Sequence, residues 1–230
     1  NRTFRFIKGP LFANIILADE INRTPPKTQS ALLEAMQERS VTNAGNTYKL
    51  DHPFFVLATQ NPIEQEGTYP LPEAQLDRFM FKIKIHYPSQ QEEIKIVEST
   101  TKLNNIKLND IISQQELIEF QDIIMDIPVA KNVVQYAVNL VCCTRPENII
   151  APDFIKTWLD WGAGPRASTF LILGSKALAA IEGRTTPDIA DVNAMVKPVL
   201  RHRIIANFNA EADNISTDDI LDKLMEHLSE

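Results

Sequence analysis

Short apolar runs alternate with a helical pattern in the first part of the chain. Ile15–Ala18 and residues 54–58 are continuous apolar runs, and each is ended by polar residues. Such runs are typical of strands that are buried on both faces of a parallel sheet. Between them, two prolines after Thr24 mark a helix start, and Leu32 and Met36 follow at helical spacing. The pattern therefore predicts a β-α-β unit.

Two further strand patterns follow this unit. Residues 41–42 and 48–50 flank the sequence Asn-Ala-Gly-Asn at 43–46, whose glycine and asparagines favour a turn. We therefore expect a small β-hairpin at this position. In residues 79–85, apolar side chains alternate with lysines, which predicts a third strand.

Helical signals dominate after residue 88. Ser89 and Ser113 are each followed three positions later by a glutamate, which is the pattern of a capping box at a helix start. Further helix starts are indicated at Pro165 and at residues 186–188. The chain is therefore divided into an α/β part, residues 1–88, and an all-helical part, residues 89–230.

Composition and charge limit the setting and the partners of the protein. The 230 residues include 23 lysines and arginines against 30 aspartates and glutamates, which gives a net charge of −7. This charge provides no general attraction to nucleic acid or to an anionic membrane surface, so we expect neither as a partner. No apolar run is long enough to span a bilayer, and we expect no membrane insertion. The adjacent Cys142 and Cys143 favour a reducing, cytoplasmic setting, and the four scattered histidines lack the spacing of a zinc site.

Two carboxylates follow the first predicted strand. Asp19 and Glu20 would lie at the carboxyl edge of the sheet, where open α/β folds bind their ligands. Hydrolysis of a nucleotide needs such a pair, because one carboxylate holds Mg²⁺ and a second polarises the attacking water. The pair alone is also compatible with a plain polar strand end.

The residues around this pair carry a family resemblance. Segments 12–23 and 25–38 resemble the Walker B region of the MoxR family of AAA+ ATPases nearly residue for residue. The resemblance implies an enzyme that hydrolyses ATP with Mg²⁺ as cofactor. It also implies that Asp19 holds the metal beside the nucleotide and that Glu20 is the catalytic carboxylate.

Three further motifs match the family in the expected order. The resemblance of residues 57–62 implies that Asn61 is the sensor 1 residue, although a strand-end asparagine also commonly makes a turn. Residues 64–79 imply that Arg78 is the arginine finger, which suits a permanently charged, forked donor. The alternative for Arg78 is a local salt bridge to a neighbouring carboxylate, Asp77 or Glu73, and Asp77 would also suit as the group that orients its guanidinium.

The last motif lies in the helical part. Residues 162–168 resemble the sensor 2 motif, which implies that Arg166 faces the nucleotide phosphates from the start of a lid helix. A surface arginine is the alternative. The short cluster Arg201-His202-Arg203 is interpreted as a solvated face or a lid contact rather than as a nucleic-acid patch.

One expected motif does not occur in the 230 residues. They contain no Gly-rich phosphate loop ending in Gly-Lys-Ser or Gly-Lys-Thr, which an AAA+ site needs. We therefore expect the chain to be a C-terminal portion of a longer protein, with a partial AAA+ core of the P-loop type followed by a helical lid. We expect this portion by itself not to bind ATP tightly, and we expect its sheet to lack a middle strand.

The family also supplies expectations about assembly. Members form rings, here expected to be homo-hexamers, which couple ATP hydrolysis to remodelling or maturation of partner proteins that often contain a von Willebrand factor type A domain. The hairpin at 43–46 would then point toward the centre of the ring. The alternatives are a nucleic-acid motor related to the replicative helicases and a nucleotide-sensing scaffold without hydrolysis. DNA binding that weakens with salt would favour the motor, and a neighbouring gene for a von Willebrand type A protein would favour the chaperone-like role.

Overall fold

The computed structural model describes residues 6–61, 67–102 and 108–229. The strands in these ranges are β1 (Ile15–Ala18), β2 (Ser40–Asn43), β3 (Asn46–Lys49), β4 (Phe55–Ala58), β5 (Leu159–Trp161) and β6 (Ile205–Ala206). The helices are α1 (Pro26–Glu38), α2 (Glu73–Leu76), α3 (Gln90–Thr100), α4 (Gln114–Asp126), α5 (Lys131–Cys143), α6 (Asp153–Trp158), α7 (Pro165–Ile181), α8 (Ile189–Leu200), α9 (Phe208–Ala212) and α10 (Thr217–His227).

The predicted β-α-β unit is confirmed. Strands β1 and β4 pair in parallel, with Ile15 opposite Phe55 and Ala18 opposite Ala58. Helix α1 lies between them in the chain and contributes Leu32 and Leu33 to a small apolar core. The unit therefore brings the carboxyl ends of both strands to one edge.

The prediction that these strands are buried on both faces is wrong for the described residues. Ile16 on β1 is buried, but its neighbours Ile15 and Leu17 are largely exposed, as are Phe55 and Leu57 opposite them. Because strand side chains alternate between two faces, these four form one apolar face while the other packs toward α1. Burial of both faces requires a second layer of structure, and the described residues place one layer only.

The predicted third strand at 79–85 is also not observed. Residues 81–85 have no regular secondary structure and belong to no β-ladder, and they lie on the helical part instead. The backbone N–H of Lys82 donates to the carbonyl of Pro198 in α8 at 2.8 Å, and Lys84 forms a 2.8 Å ion pair with Asp218. Alternating polarity indicates an extended chain, but a strand also needs a neighbour to accept its hydrogen bonds.

The predicted hairpin is confirmed. Strands β2 and β3 pair antiparallel directly after α1, with Asn43 opposite Asn46 at the turn. Ala44 and Gly45 both have positive φ, 50° and 81°. Two consecutive left-handed residues are the requirement of a tight hairpin turn whose twist matches its strands, which explains the glycine.

The helical part has its own core, formed mainly by α5, α7, α8 and α10. The capping boxes predicted at Ser89 and Ser113 are both present, with each serine accepting from the N–H of the glutamate three positions later. A short antiparallel pair, β5 with β6, lies among these helices. The division at residue 88 stays a prediction. None of the helices in the described ranges combines the length and the apolar character needed to cross a membrane.

Candidate functional site

Polar residues from two neighbouring strands meet at the carboxyl edge of the small sheet. Asp19 and Glu20 follow β1, and Thr59 and Asn61 follow β4. The two segments remain hydrogen-bonded beyond the strands, because Thr59 N–H donates to Ala18 O at 3.0 Å and Ile21 N–H donates to Thr59 O at 3.0 Å. The proximity of the carboxylates to the segment after β4 is thus a consequence of the parallel pairing.

The hydroxyl of Thr59 connects the two carboxylate residues. It donates to Asp19 Oδ1 at 2.5 Å and accepts the backbone N–H of Glu20 at 2.8 Å. Sequence reasoning did not identify Thr59 as a site residue. The signal was its place in the motif at residues 57–62, two positions before Asn61 and directly after the strand that pairs with β1.

The backbone of Glu20 is in the left-handed region, with φ 50° and ψ 52°. This conformation costs an L-residue with a Cβ about 1–2 kcal/mol, and such residues concentrate at functional sites. The side chain is half-exposed and accepts from Arg23 Nη1 at 3.3 Å. An exposed ion pair of this kind is worth at most about 1 kcal/mol, so it leaves the carboxylate accessible to water and ligands.

Buried amides hold the segment that follows Glu20. Asn22 Nδ2 donates to the carbonyl of Asn61 at 3.3 Å, and Gln29 Nε2 donates to both Ile21 O and Tyr69 O, at 3.0 and 2.9 Å. Asn22 thus links the segments that follow β1 and β4, and Gln29 links α1 to the segment after β1 and to Tyr69. Both amides were also missed from the sequence. Residues 62–66, where the sensor 1 motif ends and the finger motif begins, lie outside the described residues.

Asp77 pairs with two arginines of the helical part rather than with its neighbour Arg78. Its carboxylate accepts from Arg166 Nη1 at 2.7 Å and from Arg203 Nε at 2.8 Å. Arg78, just after α2, donates from Nη1 to Leu33 O in α1 at 3.2 Å. The interpretation that Asp77 orients the Arg78 guanidinium, or forms a local salt bridge with it, is therefore wrong. Arg166 is an ion-paired lid residue that remains 43% exposed.

Arg203 is the most deeply anchored of these arginines. Its side chain is 1% exposed, and besides Asp77 Oδ1 it donates to the carbonyls of Asp77, Phe79, Met80 and Val199. Burial lowers the pKa of Arg203, while the hydrogen bond to Asp77 opposes this shift. The adjacent His202 is buried too, and its burial, together with the charge of Arg203, lowers its pKa to about 4. The cluster at 201–203 was interpreted from the sequence as a solvated face or a lid contact. The structure shows that it is a lid contact.

Arg166 lies in the first turn of helix α7. Gly164 caps the helix and Pro165 occupies its first turn. Gly162 lies so close to Thr144 that a Cβ would overlap with the carbonyl of Thr144, and Ala163 N–H donates to Thr144 Oγ1 at 2.9 Å. The glycine is therefore required for this close approach.

The predicted residues fall into two groups. Asp19, Glu20 and Asn61 share the edge of the sheet. Arg78 and Arg166 line a surface depression of about 190 Å³ together with Met36, Gln37 and Phe170. Arg78, the predicted finger, and Arg166, the predicted sensor 2 residue, thus lie at one depression between α1 and α7.

The sheet edge has the donor chemistry of a magnesium site. Within the described ranges there is no cluster of three or more histidine, cysteine or carboxylate side chains that would form a complete metal cage. Mg²⁺ needs no such cage, because it keeps several waters and uses one or two carboxylates plus phosphate oxygens. Asp19 is exposed, and the Thr59 hydroxyl is bonded to its Oδ1. The residues present therefore fit the ion.

Comparison with known proteins identifies two regions of the chain. Residues 1–81 match the ATPase family associated with various cellular activities (AAA), and residues 155–224 match the AAA lid domain.

Similar proteins are found over nearly the whole chain. Chaperone MoxR1 of Mycobacterium tuberculosis is 43% identical over 95% of the chain, and YeaC of Bacillus subtilis is 40% identical over 96%. The crystal structure of a Cytophaga hutchinsonii protein named as a candidate ATPase superposes with a TM-score of 0.90, at 42% identity over 96% of the chain. The chain spans 58% of the length of the first relative and 67% of each of the other two.

Proposed function

Because the chain belongs to the MoxR family of AAA+ ATPases, we propose that it carries the hydrolysis residues and the lid of a Mg²⁺-dependent ATPase that remodels or matures partner proteins. The observation that supports this most directly is the shared sheet edge. There, two carboxylates and Asn61 are held by the parallel pairing of β1 and β4. A plain strand end would require neither the left-handed backbone of Glu20 nor the bridge from Thr59.

Each residue at the sheet edge would have its own role in hydrolysis. Bound Mg²⁺ would neutralise charge on the β- and γ-phosphate oxygens of ATP. Asp19 would hold the ion, directly or through its waters. Glu20 would orient the attacking water and accept a share of its proton, for which an accessible carboxylate is required. Asn61 would fix the same water or contact the γ-phosphate.

The two arginines would act on the phosphates from different directions. Arg166 would reach the nucleotide of its own chain from the lid, exchanging the Asp77 carboxylate for phosphate oxygens. Arg78 would act as a finger on the nucleotide of the next subunit, since a ring joined head to tail places one subunit's surface against the neighbour's site. A homo-hexamer is the assembly proposed here.

The partner class follows from the family alone. We propose a protein with a von Willebrand factor type A domain as the partner, and the hairpin at 43–46 as an element directed toward the centre of the ring. The relatives named above give no support to the nucleic-acid motor, and the net charge of −7 also disfavours it.

The experiment is the Glu20→Gln substitution in the full-length protein, with ATP binding and phosphate release measured separately. Binding of ATP with Mg²⁺ should stay within about threefold, because the amide has nearly the same size. Turnover should fall about 10²- to 10⁴-fold, because the amide cannot accept a proton.

The matched control is Glu38→Gln at the exposed end of α1, which should leave both quantities unchanged. Turnover of the Glu20→Gln protein near the wild-type rate would remove Glu20 from the chemistry. A full-length wild type that neither binds nor hydrolyses ATP would reject the proposed function itself.

A further inference from the structure

The hydroxyl of Thr59 contacts both carboxylate residues of the proposed hydrolysis site. We infer that Thr59 is a positioning residue, which orients the Asp19 carboxylate and holds the backbone of Glu20 in its left-handed conformation. The inference rests on the proposed function, and it assigns a task to a residue that the family motifs do not single out.

The directions of the two hydrogen bonds are fixed by chemistry. The backbone N–H of Glu20 can only donate, so the Thr59 oxygen accepts at 2.8 Å and its proton goes to Asp19 Oδ1, 2.5 Å away. A hydroxyl that donates to a carboxylate makes a short, charge-assisted bond. The contact therefore fixes one oxygen of the exposed Asp19 carboxylate, the group proposed to hold the cation.

The backbone on either side fixes the position of Thr59 itself. Thr59 N–H donates to Ala18 O and Thr59 O accepts from Ile21 N–H, each at 3.0 Å. These bonds lie before and after Asp19 and Glu20 and hold the parallel pairing across them. The N–H of Glu20 turns away from this ladder to the hydroxyl, which accompanies its φ of 50°. The hydroxyl thus supplies the acceptor that this conformation needs.

A purely structural role for Thr59 makes different predictions. If the residue mattered only for its β-branched shape on an extended segment, valine would replace it without loss. If it positions Asp19 and Glu20, valine should keep the fold and weaken both metal binding and turnover, whereas serine should restore them. Outer-shell partners of metal ligands typically change metal affinity or activity by about 10- to 100-fold when they are removed.

The test compares Thr59→Val, Thr59→Ser and the control Thr157→Val in the full-length protein. Thr157 lies on α6, far along the chain, and its hydroxyl donates to the backbone carbonyl of Asp153. Three quantities are measured: the binding of Mn²⁺ in the presence of ADP by electron paramagnetic resonance, kcat and KM for ATP, and the thermal midpoint without ligand.

For Thr59→Val we expect Mn²⁺ affinity and kcat to fall about 10- to 100-fold each, with KM for ATP within about threefold of wild type. Thr59→Ser and Thr157→Val should remain near wild type in all three measurements, and the midpoint of Thr59→Val should stay close to that of the control.

Wild-type Mn²⁺ affinity and kcat in a folded Thr59→Val protein would overturn the inference and leave the proposed function standing. Loss of metal affinity in Thr59→Ser would overturn it too, even if Thr59→Val fails to fold, because serine retains the hydroxyl. Absence of Mn²⁺–ADP binding and of turnover in the wild type would reject the proposed function instead.

Discussion

Arg203 holds the segment after α2 against the lid. Its replacement by lysine measures how much the hydrogen bonds of the guanidinium contribute to stability. The guanidinium makes five hydrogen bonds, one to the Asp77 carboxylate and four to backbone carbonyls. Lysine keeps the positive charge but has three donors on one atom, so it cannot reproduce the spread of the planar fork. At least two of the five acceptors should lose their partner.

The magnitude follows from the burial of these groups. A buried acceptor without a partner costs about 1–3 kcal/mol, so two of them give roughly 2–6 kcal/mol of lost stability. We expect a value near the middle of this range, about 3–4 kcal/mol, because Asp77 is 29% exposed and regains some solvation. For a chain of this size the thermal midpoint should fall by about 2–4 °C for each kcal/mol.

The assay is urea unfolding followed by tryptophan fluorescence in the full-length protein. Both tryptophans of the 230 residues, Trp158 and Trp161, lie in the helical part, in α6 and β5, so the signal from this region reports the lid. The matched control is Arg145→Lys, since the half-buried Arg145 donates from Nε to Ala163 O at 2.9 Å. The control should cost about 1 kcal/mol or less. A loss below about 1 kcal/mol for Arg203→Lys would refute the reasoning that this fork anchors the segment.

Two further predictions follow from the same contacts. His202, whose pKa falls from 6.5 to about 4 on burial, stays neutral in the folded protein while the unfolded chain binds a proton below pH 6.5. Protonation of the unfolded chain therefore lowers the free energy of unfolding as the pH falls below 6.5, by about 2 kcal/mol at pH 5, and has little effect well above pH 6.5. His202→Gln should remove this part of the pH dependence of unfolding between pH 6.5 and 4. In the proposed ring, Arg78→Ala and Glu20→Gln subunits should each be nearly inactive alone, and mixing them equally should restore up to about one quarter of wild-type activity, because that fraction of interfaces pairs an intact site with an intact finger. No recovery after proven subunit exchange would place Arg78 in its own site or in a structural role.

Sequence patterns predicted the elements that are stabilised by contacts between residues close in the chain. The β-α-β unit, the hairpin and the two capping boxes each depend on residues that are near one another in the chain, so periodicity and turn chemistry were sufficient. The same unit explains why Asp19 and Glu20 lie beside the segment of Asn61, because the ends of adjacent parallel strands share one edge.

The missed features depend on partners that are distant in sequence. Alternation in residues 79–85 indicated an extended chain, but only the position of α8 decided that Lys82 would donate to Pro198. Asp77 lies beside Arg78 in sequence, yet its partners come from 89 and 126 residues away. Thr59 has an ordinary strand sequence around it, and its role becomes visible only when the pairing with β1 is known.

The two arginines on Asp77 differ in how firmly each side chain is held. Arg166 has one hydrogen bond to this carboxylate and is 43% exposed, so on the proposed function it can leave for a phosphate at a cost of at most about 1 kcal/mol. Arg203 is 1% exposed and has four further carbonyl partners, so it remains in place and keeps Asp77 neutralised when Arg166 departs. Because the remaining pair still anchors the segment that carries Arg78, the lid arginine can respond to the nucleotide without displacing the proposed finger.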